Sequence, residues 1–139
     1  MKVLLDTCVL SEIRRPKGNP KVIQAVESRD SEDLFISVIS IGEIVKGITL
    51  LDDRKRKQEL QNWVQGLQRY HADRILGIDL ETTNIWGEIT AIAQKKGKTV
   101  SASDCLIAAT AIKYGLHVMT RNTEDFEPTG VMLINPWKK

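Results

Sequence analysis

The chain contains no apolar stretch long enough to cross a bilayer, which excludes a helical membrane anchor as its organising feature. Met1-Lys-Val-Leu-Leu meets Asp6 after only three apolar residues, so no secretory n-region and h-region open the sequence, and a cytoplasmic protein is expected. Cysteine is scarce: two residues, without C-x-x-C spacing, and expected as reduced thiols. The two histidines, His71 and His117, are far apart, which argues against zinc and against a two-histidine, metal-free nuclease. Nor do Ser, Cys and His form a nucleophilic triad. Charge of one sign is missing too. A net charge of +2 is too small to argue a nucleic-acid partner by itself. Repeats, low-complexity tracts and long linkers are absent, so residues 1–139 are expected to form one domain.

The composition that remains is globular: 42% hydrophobic and 27% charged residues exclude wholesale disorder. Short apolar runs alternate with helical patterns. Strands are expected at Val3–Leu5, Leu34–Ser37, Ile75–Ile78, Val118–Met119 and Val131–Ile134. Helices are expected over Val9–Arg15, Pro20–Ser28, Ile41–Leu51, Leu60–Leu67, Ile85 to Gly97, and Ser101 to about Gly115. Strands separated by helices predict a three-layer α/β/α sandwich around a mostly parallel sheet of about five strands.

Asp104 stands out in that pattern. On its helix it shares a face with Ile107, Ala108 and Ala111, where a carboxylate is costly unless a cation neutralises it. In an open α/β sheet, strand C-termini and helix N-termini share one edge. Asp6 and Asn122, each just past a strand, would meet Glu43 and Asp104 there, both expected in the first turns of helices, with Asp125 close by. Such oxygen donors suit Mg²⁺ or Mn²⁺ and point to phosphodiester hydrolysis. One consequence is awkward: two helices precede the fourth strand. If the Asp104 helix starts at the active edge, the helix before it is expected to cross obliquely. Each acid also has a plain alternative: Ser101–Asp104, Ser40–Glu43 and Asn122–Asp125 all match capping boxes, and Asp6 could be an N-cap. The charge-dense Asp52–Lys57 reads as a solvated helix start, and Trp63 and Trp86 as core or subunit contacts.

Taken in order, Asp6-Thr-x-Val-Leu-Ser-Glu12, Ser40-x-x-Glu43-x-x-x-Gly47, Asp104-x-x-Ile107-Ala-Ala, Thr120-Arg-Asn122-x-x-Asp125-Phe126 and Asn135-Pro-Trp137 resemble a PIN-domain protein. More narrowly they resemble the VapC ribonuclease toxins of type II toxin–antitoxin pairs, including the FitB-like branch, over essentially the whole chain. The resemblance implies Asp6, Glu43 and Asp104 as Mg²⁺ ligands, with Mn²⁺ able to substitute and a fourth position at Asn122 ahead of Asp125. Thr7 and Thr120 would support them or contact phosphate. It also implies a homodimer, a VapB-like antitoxin in a hetero-oligomer, operator DNA bound only through that antitoxin, and RNA, often tRNA, as substrate. A weakly catalytic DNA-bound repressor component and a housekeeping PIN nuclease are the competing implications. One position departs: Cys8 stands where relatives commonly carry Asn, and a thiol cannot replace an amide's paired donor and acceptor.

Overall fold

In the computed structural model of the protein, residues 1–138 are described. Five strands, β1 (Val3–Leu5), β2 (Leu34–Ser37), β3 (Ile75–Leu76), β4 (His117–Met119) and β5 (Leu133–Ile134), form one sheet in the order β3-β2-β1-β4-β5. Every pairing is parallel, so all strand C-termini lie along a single edge. β1 sits in the centre. The chain moves to one side of it through β2 and β3, and to the other through β4 and β5. The point where this direction reverses, between β1 and β4, is where ligands enter folds of this kind.

The period-two rule divides β1 between two cores. Val3 and Leu5 join Val9 and Leu10 of α1 (Thr7–Arg14), Val22 and Val26 of α2 (Pro20–Glu27), Ile44 and Ile48 of α3 (Val38–Thr49) and Val64 of α4 (Arg54–Tyr70). Leu4 points the other way, to Ile107, Ala108 and Ala111 of α6 (Ala102–Tyr114), with Ile89 of α5 (Leu80–Lys95) and Phe126 of α7 (Thr123–Phe126) in the same cluster. Each fully buried Leu or Ile here contributes about 1.5–3 kcal/mol. The three-layer α/β/α arrangement is therefore as expected. Ala108 and Ala111, buried in this cluster, let α6 lie close to the sheet. Gly115, at φ +68°, ends α6 in a left-handed cap that a residue with a Cβ adopts only with strain.

Several boundaries differ from the sequence reading. β3 and β5 are two residues each rather than four. Helix α1 begins at Thr7, because the Asp6 carboxylate caps it, rather than at Val9. Helix α3 begins at Val38, because Ser37 caps it and the strand runs straight into the helix, rather than at Ile41. Helices α5 and α6 also pair as an antiparallel hairpin instead of crossing obliquely. Asp79, the N-cap of α5, bonds Lys113 in the last turn of α6, and Glu81 lies 3.7 Å from the same amine. That ion pairing holds the hairpin ends together while the first turn of α6 keeps its place at the active edge.

Candidate functional site

Asp6 is the anchor of the site. It follows the central strand, is 6% exposed, and uses both carboxylate oxygens. Oδ1 accepts the Thr7 backbone N–H at 2.9 Å, closing the first turn of α1, and Oδ2 accepts the Thr120 hydroxyl at 2.8 Å. Thr120 is fully buried just past β4, so this bond joins the two strand ends that flank the topological switch. The same hydroxyl accepts the Asn122 N–H at 3.0 Å and thereby shapes the loop that leads into α7. The two bonds to the Asp6 carboxylate are charge-assisted and so the stronger kind.

Thr7 turns from Asp6 toward α3: its hydroxyl donates to Glu43 Oε1 at 2.6 Å. Glu43 lies in the second turn of α3, not the first. Ser40 is buried inside the helix with its hydroxyl unpartnered, so the Ser40–Glu43 capping box does not form. The reason is that Ser37 already occupies the cap and its hydroxyl accepts the Ile39 N–H. Glu43 is consequently free of helix-end duty and is tied to the Asp6 loop through Thr7.

At the other box, Ser101 caps α6 by accepting the Asp104 N–H at 3.1 Å, and among the described residues the Asp104 carboxylate makes no return bond to the Ser101 backbone. Asp104 is half-buried. Burial pushes its carboxyl proton affinity above the ordinary range, a Ser101 hydrogen bond opposes that, and the charges of Asp6, Asp125 and Glu43 add to it. Asp104 thus lies within reach of the charges of three other acids at the active edge. The third expected box is absent as well: Asn122 precedes α7 but makes no side-chain cap, and its neighbour Asp125 bonds it only through the backbone.

Cys8 is not the lost contact that its identity suggests. Its Sγ lies 3.6 Å from Asp6 Oδ2 and 3.5 Å from Thr120 Oγ1, and it accepts the Arg121 N–H at 3.5 Å. Burial, with the Asp6 charge adding, pushes its thiol above the usual range and keeps it protonated. Cys105 is fully buried.

A divalent cation is the group this donor set would hold. Among the described residues no three His, Cys, Asp or Glu side chains close around a point as a ready-made cage. Asp104 instead registers Asp6, Asp125 and Glu43 through their charges. Oxygen donors alone, with like charges to relieve at Asp104, suit a hard cation such as Mg²⁺, which keeps several waters and uses only one or two carboxylates directly. Sequence reasoning missed a neighbouring pocket lined by Arg14, Arg56 and Trp63, which shares Thr7 and Glu43 with the acidic edge. The available signal was spacing: 7, 11, 14 and 56, 60, 63 each follow i, i+4, i+7.

Comparison with known proteins follows the same lines. The PIN domain family matches residues 3–130. Toxin FitB of Neisseria gonorrhoeae is 38% identical over 136 residues, covering 97% of this chain and 98% of the relative. VapC ribonuclease Y4jK of Sinorhizobium fredii is 33% identical over 137 residues, covering 98% of each. The crystal structure of FitAcB from Neisseria gonorrhoeae superposes with a TM-score of 0.93 at 37% identity, covering 99% of both chains. The parallel sheet, the acids at its switch point and these likenesses agree: the chain belongs to the PIN-domain family.

Proposed function

We propose that the protein is the toxin of a type II toxin–antitoxin pair, a single-domain endoribonuclease dependent on Mg²⁺, with Mn²⁺ able to substitute. Asp6, Glu43 and Asp104 would hold the cation, with a fourth position at Asn122 or Asp125. The observation that carries this reading is Asp104: a half-buried carboxylate, relieved of capping, set among the charges of three other acids. The names of relatives at 38% and 33% identity, a toxin and a ribonuclease, support it.

When bound, the cation would polarise a phosphodiester and lower the pKa of a coordinated water. The chain's own residues do the positioning. Thr120 fixes Asp6 Oδ2, Thr7 fixes Glu43, and Ser101 fixes the first turn of α6 by accepting the Asp104 N–H. Without a countercharge, Asp104 holds a proton more readily than an ordinary carboxylate. An antitoxin partner, a homodimer and RNA as substrate belong to the same proposal.

Asp104→Asn and Asp6→Asn test it. Asn caps helices as well as Asp, so Asp6→Asn keeps the Thr7 bond while removing the charge. Both variants are expected to fold, to lose RNA cleavage and to relieve growth arrest, and EDTA is expected to stop the wild type. Full cleavage by either variant, or cleavage undiminished in EDTA, overturns the assignment.

A further inference from the structure

We propose that Arg14 and Arg56 form a subsite for a backbone phosphate of the RNA strand, seating that strand beside the acidic edge. The inference rests on the ribonuclease reading above and assigns residues that reading does not use.

The pocket is about 240 Å³ and is built by three helices. Helix α1 contributes Thr7, Ser11 and Arg14, one face at i, i+4, i+7; α4 contributes Arg56, Leu60 and Trp63 in the same spacing; α3 supplies the wall between them through Glu43 and Gly47. Thr7, bonded to Glu43 and next to Asp6, belongs to both the pocket and the acidic edge, so the pocket adjoins that edge.

Two cations share this small space. Arg14 is half-buried, and among the described residues neither Arg14 nor Arg56 has a carboxylate within ion-pair reach. Glu43, on the same wall, is engaged by the Thr7 hydroxyl, and Arg15 pairs with Glu12 instead. Burial lowers the Arg14 proton affinity, and the charges of Arg56 and Arg15 lower it further, so Arg14 lies within the field of Arg56. The Arg14 guanidinium lies 5.6 Å from the centroid of the Trp63 ring, which packs on the core and fixes it in place.

A bridging anion resolves that repulsion. Guanidinium forks match phosphate oxygens, and a strand whose scissile phosphate lies at the acids carries further phosphates at regular intervals. The acidic edge alone repels RNA; this pocket supplies compensating positive charge at its rim.

The test uses a fluorescein-labelled, mixed-sequence single-stranded RNA and the full chain. In an Asp104→Asn background, the Arg14→Gln, Arg56→Gln double variant is expected to bind roughly tenfold or more weakly. Its log affinity against log salt should be shallower by about one unit. With Asp104 restored, KM should rise while kcat changes little; Arg54→Gln, on the same helix but outside the pocket, should change neither. Arg14→Lys, Arg56→Lys should retain the salt slope. Wild-type cleavage with unchanged affinity, slope and KM in the double Gln variant overturns the subsite and leaves the ribonuclease reading standing. A wild type that neither binds nor cleaves RNA removes both. Loss of poly-glutamate binding with RNA binding intact makes the pocket an acidic-peptide groove and also overturns the proposal.

Discussion

Thr120→Val isolates the bond on which the site's geometry turns. Valine matches threonine in shape but cannot donate to Asp6 Oδ2 or accept from Asn122, which end the two bonds at 2.8 and 3.0 Å. Asp6 would keep the Thr7 N–H on its other oxygen and a long sulfur contact to Cys8, at 6% exposure, so water is poorly placed to replace the hydroxyl. A hydrogen bond to a charged group is worth about 1.5–3 kcal/mol, and an orphaned buried donor costs about 1–3 kcal/mol. Asn122 is exposed, so solvent recovers much of its share. The expected loss is about 2–3 kcal/mol, which lowers a urea midpoint by about 1 M or more. Thr120→Ser, which keeps the hydroxyl, should recover most of it. Urea unfolding followed by tryptophan fluorescence reads both variants. A Thr120→Val loss below about 0.5 kcal/mol, the scatter of ordinary surface changes, refutes the claim that this bond ties β1 to β4.

Two further outcomes concern stability. Gly47 lies inside α3 and an added Cβ there meets nothing within 4 Å, so Gly47→Ala should stabilise the protein by about 0.5–1 kcal/mol and raise Tm; a lower Tm contradicts the open geometry. His71 is buried with Nδ1 unpartnered, and burial, with the Arg74 charge adding and Asp73 opposing, lowers its pKa below the usual 6.5. The unfolded chain then binds this proton more readily than the folded one. Its contribution is fully present above 6.5 and is lost as pH falls below it toward the folded value. His71→Leu should flatten that part of a stability–pH profile, and an unchanged slope would show that the imidazole titrates normally.

The legible parts of this fold were those whose signal is local and long. Val3–Leu5 reads as a two-faced buried strand, and its side chains do divide between the two cores. Asp104 reads as an acid on an apolar helix face, and Ile107, Ala108 and Ala111 on that face are all fully buried. Glu43 was set in the wrong turn, because Ser40 imitates a cap while the true one, Ser37, is the last residue of its strand. Helix α7 is four residues long, too short for a 3.6-residue period to register. The α5–α6 hairpin brings Lys113 to Asp79 and Glu81, thirty-odd residues away, which no window along the chain can see. The arginine pocket needs three helices in place before 14 and 56 become neighbours.

Manganese uptake, independent of any RNA, addresses the gathering of acids most directly. Titration of paramagnetic Mn²⁺ into the isotopically labelled protein should broaden the amide signals of Asp6, Glu43, Asp104 and Asn122 first and together, with Asp104→Asn abolishing that pattern. Broadening scattered over surface carboxylates, or unchanged in the variant, would mean that these residues do not share an ion.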